Sequence, residues 1–511
     1  MATTIEQVRA YYNQFPYSSH AYPHSAPEQL QAIAHIFGHS APSVGTARVL
    51  ELGAAAGGNL IPAAIRNPGM RAVGVDLSDV QVEMARARAR EVGLDNIEFI
   101  QADLAQLESE ALGEFDYIIC HGLYSWVPPQ VQEAMLRIFG QNLASGGLAF
   151  VSYNTYPGWK GKEMIRDAML LHASQCTSAV ERIAHAKAMV GFLQQAVAPG
   201  SVMSAALTES AALIKGAGDQ YLAHEYLEPY NLPCYFQDFV ARAAEYGLAY
   251  LAEAEPSMMV PANYGANMAN ALSRTFGHDQ VRMEQYLDFA VNRAFRQTIL
   301  AKVTAGASKA FRMERTRLHS LHYSANLPCR SGSSTFDGTP QGYGAGRTPS
   351  LELTHGALKH AVDTLTDAWP GSVTRDELVE RASTLSTGLA GMDLSQIPHA
   401  VDELLEYLVM RGLARIRMEA VPLAGAVPSR PTLEPSARRM LQTLEKGHSP
   451  DIANLWHESV DLTPAEHQVL SLLDGTHDVE ALARLVSDHG DATPPVSETL
   501  EALRRKSLIS R

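Results

Sequence analysis

This chain of 511 residues has only four cysteines, Cys120, Cys176, Cys234 and Cys329, and no two stand at Cys-x-x-Cys spacing. That scarcity excludes a disulfide scaffold and the common zinc ribbons. No run approaches the ~18 consecutive apolar residues of a membrane-spanning helix. The first residues also lack the basic-then-apolar pattern of an export leader. A soluble, cytoplasmic protein without membrane insertion is therefore expected. Positive charge is scarce too: 41 Lys and Arg stand against 55 Asp and Glu, a formal net charge of −14. An acidic chain is a poor general phosphate binder, so nucleic acid is not expected as a partner. An acidic surface would instead attract a lysine-bearing partner. The remaining composition, 46% hydrophobic and 19% charged, is ordinary globular, and the length allows three or four domains.

The most informative stretch is VLELGAAAGGN at 49–59, followed by GVDLS at 74–78. Arg48–Leu52 is apolar enough for a buried parallel strand. Gly53, Gly57 and Gly58 let the backbone turn sharply, and a helix starts over Asn59–Ile65. A dinucleotide site would read G-x-G-x-x-G and place a pyrophosphate on the helix N-terminus. Here the run is Glu-Leu-Gly-x-x-x-Gly-Gly, and Glu51 would repel a pyrophosphate. The acid suits a cationic ligand, such as the amino or sulfonium side of S-adenosyl-L-methionine (AdoMet). Asp76, at the end of the next strand, is placed to accept hydrogen bonds from ribose hydroxyls.

Further strands at Asn96–Phe99, Phe115–Cys120 and Gly147–Ser152 alternate with helices to about residue 155. Ser78-x-x-Gln81 forms a capping box for the helix at 78–92. This pattern predicts an α/β fold with a doubly wound parallel sheet and a ligand at the carboxyl ends of its strands. Asp103 either holds an adenine amino group or caps the following helix. The expected donor-binding set is Glu51, Gly53, Ala54, Asn59, Asp76, Leu77, Gln81, Asp103 and Leu104. His121 is either a further donor contact or a core histidine. No metal ligand set is expected.

At this point residues 49–159 resemble the class I AdoMet-dependent methyltransferases. More narrowly, the chain resembles bacterial proteins that join this domain to a methyltransferase regulatory domain. The carriers are YYNQFPYSSHAYPHSAPEQL (11–30), VLELGAAAGGNLIP, GVDLSDVQ, FDYIICHGLYSWVP and VSYNTYPGW, then YLAHEYLEPYNLPCYFQDF (221–239) and EQYLDFAVNRAFRQTIL (284–300). Ala54 departs from the cysteine usual in such proteins, one small residue for another. The resemblance implies AdoMet as methyl donor and an N-terminal lid, with Tyr12 and Tyr17 over the donor. It also implies that Tyr221–Phe239 walls the active site. Read from the residues alone, the aromatic run Tyr11, Tyr12, Phe15, Tyr17 and Tyr22 suits equally a helix on the sheet edge. The 221–239 segment suits equally a core stripe or a dimer contact. Characterised members of this arrangement are protein lysine methyltransferases acting on bacterial outer-membrane proteins, so the resemblance implies a protein substrate with accessible lysines.

Methyl transfer to lysine needs an aligned amine, a dry channel and a neutral nucleophile. A free lysine has a pKa of about 10.4, so neutralising it at pH 7 costs about 4–5 kcal/mol. Aromatic faces hold amines and their methylated cations, at roughly 0.5–2 kcal/mol each. His121, Tyr124 and Trp126 follow the fourth strand; Tyr153, Asn154, Tyr156 and Trp159 follow the fifth. Tyr153 and Asn154 are expected to position the amine, with Tyr124 and Trp126 lining its channel. The two tryptophans suit core packing equally well.

Beyond residue 163 a helical region runs, with breaks, to about Leu321, including Ala184–Val197, Phe236–Tyr246 and Tyr286–Lys302. The expected division is a methyltransferase domain at 1–165, a helical regulatory, substrate or dimerisation domain at 166–325 and a linker at 326–350. A winged-helix-like α+β domain at 351–430 and a small helical or winged-helix-like domain at 431–511 follow. The linker SGSSTFDGTPQGYGAG is either flexible or an ordered loop. A winged helix usually suggests DNA, but Arg375, Arg381 and Arg411 are dispersed, the first two among Asp376, Glu377 and Glu380. A protein-contact or scaffold role fits better. The function expected is protein lysine N-methylation, with a homodimer as a second partnership. The alternatives are a small-molecule methyltransferase of secondary metabolism, which would need a closed pocket, and an AdoMet-responsive interaction module.

Overall fold

The computed structural model describes residues 5–510 except 15, 18, 177, 217–218, 304–312, 347–350, 387–393, 446–451 and 488–493. Phe15 and residues 347–350 of the expected linker thus lie outside the described residues, as do the side chains of Tyr11 and Tyr221.

Five strands form where apolar, β-branched runs alternate with helices: β1 (Arg48–Leu52), β2 (Arg71–Asp76), β3 (Ile97–Gln101), β4 (Phe115–Cys120) and β5 (Leu143–Asn154). They pair in parallel in the order β3-β2-β1-β4-β5. The order reverses between β1 and β4, and the crevice above that switch point is where such sheets bind ligands. Two more strands, β6 (Leu248–Glu253) and β7 (Phe295–Lys302), complete a seven-stranded sheet. β7 runs antiparallel to both β5 and β6.

These last strands correct the helical reading of 166–325. The helix Gln280–Val291 stops at Asn292, whose φ of 52° is left-handed. A helix capped this way releases the chain, and Thr298, Ile299 and Leu300 then pack as a buried strand. Tyr286–Lys302 is therefore a helix end, a turn and a strand. Within the same region, Trp159–His172, Ala179–Ala196, Val202–Gly216 and Asp219–Tyr226 are helices with a small core of their own around Ile165, Met169, Ala186 and Leu222.

The stretch at 326–346 is an ordered loop that ends in a short strand, Gln341–Tyr343, paired antiparallel with Leu351–Leu353. Lys359, fully buried, donates its ammonium to the carbonyls of Thr335 (2.7 Å), Thr339 (2.6 Å) and Asp337 (3.3 Å). Downstream, His322–Ser324 pairs with Val373–Thr374 and Arg415–Arg417 beside the helices Gly356–Ala368, Arg375–Ser386 and Ile397–Met410. The final module holds helices Pro435–Glu445, Pro464–Leu470, Val479–Ser487 and Val496–Arg505 with a short ribbon at 452–460. Ile33, Ala64, Leu404 and Leu441 belong to one continuous core, so both C-terminal modules pack on the first domain. Among the described residues no helix is long and apolar enough to cross a membrane.

Candidate active site

A cavity of about 680 Å³ opens at the carboxyl ends of β1, β2, β4 and β5. At one end Gly53 turns with φ 76°, a left-handed conformation suited to glycine. A Cβ on Gly58 would lie 2.1 Å from the Ser19 carbonyl oxygen, so only glycine lets the N-terminal segment cross this turn. Ser19 Oγ accepts from the Gly58 N–H at 2.7 Å and fixes that crossing.

Two acids face the cavity beside the turn. Glu51 is 3% exposed, and its Oε1 accepts from Asn59 Nδ2 at 2.7 Å. Its Oε2 has no hydrogen-bond partner among the described residues. Burial, opposed by the Asn59 hydrogen bond, pushes the carboxyl up to about 8. Asp76 accepts the N–H of Ala55 and of Ser78, each at 2.9 Å. Burial raises its pKa against those hydrogen bonds. A buried carboxyl with an open oxygen fits a cationic ammonium, and Asp76 beyond it fits a diol. This end of the cavity thus suits the amino acid and ribose of AdoMet. Gln81 is buried, with Oε1 unpartnered among the described residues, and it lines the same end with Ala54, Asn59 and Leu77.

Asp103 and Leu104 border the cavity; Asp103 Oδ1 also accepts from Ala105 N at 2.9 Å, so it caps the local turn as well. His121 lines the cavity with its ring stacked on Tyr22, centroids 3.7 Å apart. Burial lowers its pKa to about 4, so the ring is neutral. Tyr12 and Tyr17 close over the cavity from the N-terminal segment and pack on His224, at 6.0 and 5.1 Å between centroids.

The other end is aromatic and acidic. Trp126 and Trp159 meet edge to face at 6.0 Å, and Asn154 sits beside them with Nδ2 unpartnered among the described residues. Lys162 Nζ lies 4.4 Å from the Trp159 ring centroid and 3.3 Å from Glu225 Oε1. Burial raises the pKa of both Glu225 and Glu228, with Lys162 and His224 respectively opposing it. Tyr17 and Phe295, 47% and 38% exposed, stand at the mouth.

Two expected acceptor-side residues lie elsewhere. Tyr153 is 1% exposed, stacks on Phe239 at 4.2 Å and places its hydroxyl 3.1 Å from Thr298 Oγ1. Adjacent strand residues point to opposite faces, so the backbone that turns Asn154 to the cavity turns Tyr153 into the core. Tyr124 is likewise fully buried, edge-on to Phe239 at 5.2 Å, while Trp126 two residues later reaches the cavity. Sequence reasoning missed Lys162, which no pattern marks, and Glu228, whose only signal is its i,i+4 spacing from His224.

Three family models and several solved structures match this chain. A methyltransferase domain model matches residues 49–147, a predicted methyltransferase regulatory domain model 218–302, and a model of the PKMT C-terminal winged helix domain 429–493. The uncharacterised protein RP789 of Rickettsia prowazekii (strain Madrid E) is 30% identical over 485 residues, covering 94% of this chain and 86% of that one. The protein RP028 of the same organism is 34% identical over 233 residues, 45% of this chain and 93% of that one. The structure of PKMT2 from Rickettsia typhi in complex with AdoHcy superposes with a TM-score of 0.84 at 24% identity, covering 97% of this chain and all of the other. The crevice, its acids and these matches lead to one conclusion: the chain belongs to the class I AdoMet-dependent methyltransferases that carry a methyltransferase regulatory domain.

Proposed function

We propose that this methyltransferase acts on lysine side-chain amines of a protein partner. One observation carries the reading: the acceptor end of the cavity already seats a lysine ammonium, that of Lys162, between the Trp159 face and the Glu225 carboxylate. A pocket with that chemistry suits a second amine. The exposed rim at Tyr17 and Phe295 gives a macromolecule access. The match to the PKMT winged helix domain and the likeness to PKMT2 support the same acceptor class.

AdoMet supplies an activated methyl on its sulfonium. The residues of this chain must then deliver a neutral, oriented amine. Trp126 and Trp159 exclude water and flank the alkyl chain. The positive charge of Lys162 disfavours a second ammonium nearby and so helps strip its proton. Glu225, which lines this end of the cavity and pairs with Lys162, would take that proton. The Asn154 carboxamide would orient the amine's lone pair toward the donor end of the cavity, where bound AdoMet would supply the methyl. In this scheme residues 1–165 bind the donor and supply Trp126, Asn154, Trp159 and Lys162 to the acceptor end, 166–325 add Glu225 and Phe295 to its wall, and 351–430 with 431–511 support the first domain.

The test is to incubate the full chain with tritiated AdoMet and a bacterial lysate, then separate protein from small molecules. Label in a protein band supports the reading. Label confined to small molecules would overturn it.

A further inference from the structure

We infer that His457, contributed by the C-terminal module, is a positioning residue of the donor site, acting through Asn59 on Glu51. His457 comes from the far end of the chain yet is 1% exposed. It sits in the tight turn between the two ribbon strands at 452–460, where Asn454 Oδ1 accepts from Trp456 N (2.9 Å) and Glu458 N (3.0 Å). Its φ is 61°, a left-handed backbone that a non-glycine residue adopts at a cost of about 1–3 kcal/mol and that clusters at functional positions.

The tautomer follows from its partners. Nδ1 lies 2.7 Å from Arg66 Nη2, and arginine only donates, so Nδ1 is the acceptor and Nε2 carries the proton. Nε2 then donates to Asn59 Oδ1 at 2.8 Å. That oxygen also receives Tyr22 N at 3.0 Å and Ser25 Oγ at 3.2 Å. With its oxygen side fixed by donors, the Asn59 amide must turn Nδ2 toward Glu51, where it donates to Oε1 at 2.7 Å. Glu51 is thereby held at the cavity with Oε2 unpartnered among the described residues. The C-terminal module docks at this spot through a second contact, Ser459 Oγ accepting from Ala21 N at 2.9 Å. The donor site is therefore assembled from both ends of the chain. Linkage requires that seating the C-terminal module and binding the donor strengthen each other.

The experiment measures AdoHcy binding by calorimetry on full-length His457→Ala and His457→Gln, after thermal melts confirm folding. A lost hydrogen bond to a buried carboxylate network predicts about tenfold weaker binding for the alanine variant. The glutamine variant, whose Nε2 replaces the imidazole donor, should recover most of that loss. In a Glu51→Gln background the alanine effect should largely vanish, because the partner it acts through is gone. Wild-type affinity in a folded His457→Ala would overturn the inference, as would equal weakening by alanine and glutamine. Should the alanine variant fail to fold, His457→Asn takes its place: it is polar but too short to reach Asn59, so glutamine-like affinity would overturn the inference and weaker binding would support it. The readout is donor binding, so it stands apart from the choice of methyl acceptor.

Discussion

Asn59 donates to one oxygen of Glu51 at 2.7 Å, and the other lies at the cavity with no partner among the described residues. A carboxyl in that position is protonated near neutrality and ionises when a cation arrives. It gives the donor site a pH signature of its own.

Glu51 stands at about 8 in the ligand-free chain because burial opposes its charge. An AdoHcy ammonium favours the carboxylate, so binding should release about one proton at pH 7. Affinity should be level above pH 8 and fall as pH drops toward 6, by up to about tenfold per unit. Without ligand, the same raised carboxyl costs folded-state stability as pH rises toward 8. The melting-temperature gain on adding AdoHcy should therefore grow over this range. Calorimetry in buffers of different ionisation enthalpy checks the proton count. A pH-independent affinity between 6 and 8 would contradict the assignment.

Asp76 is held by two backbone N–H groups at 2.9 Å, which aims its carboxylate at the crevice. Asp76→Ala should weaken AdoHcy binding by about 1.5–3 kcal/mol, roughly tenfold to a hundredfold in Kd. An unchanged Kd would remove Asp76 from the site.

Tyr153 offers a contrast. Its hydroxyl meets Thr298 inside the core rather than the cavity. Tyr153→Phe should cost about 0.5–1.5 kcal/mol in a denaturant melt and leave AdoHcy affinity and turnover near wild type. A large loss of turnover at unchanged stability would place the hydroxyl back in the reaction.

Arg296 is fully buried and bonds to Glu253 (2.7 Å), Glu284 (3.0 Å) and Asp288 (2.8 Å). Arg296→Met would strip the cation that Glu253 and Glu284 share and leave Asp288 to Arg293 alone (2.7 Å), at a cost of about 3–5 kcal/mol. The melt of this variant should recover partly at low pH, where the acids protonate. A stability loss that ignored pH would show that the acids do not depend on this arginine.

The donor end was legible in the sequence because its residues are local. Glu51, Gly53 and Asn59 belong to one strand–turn–helix, and Asp76 ends the next strand, so spacing alone brings them together. The acceptor end was less so. Whether Tyr153 or Asn154 faces the crevice is a matter of strand parity, which shifts with the irregular pairing of β4 and β5 between Phe115 and Tyr117. β7 was hidden because its apolar run continues the helical pattern of 280–291, and only Asn292 marks the break. His457 had no signal at all: the contact it makes spans 398 positions of sequence.

The central claim, lysine as the acceptor, is tested most directly by identifying the methylated residue. Protein labelled with tritiated AdoMet in a bacterial lysate is hydrolysed to amino acids, and the label is assigned by chromatography and mass spectrometry. The account predicts Nε-methyl-lysine, with labelling much reduced by Glu225→Gln or Trp159→Ala. Label on arginine, glutamate or a terminal amine, with none on lysine, would contradict it.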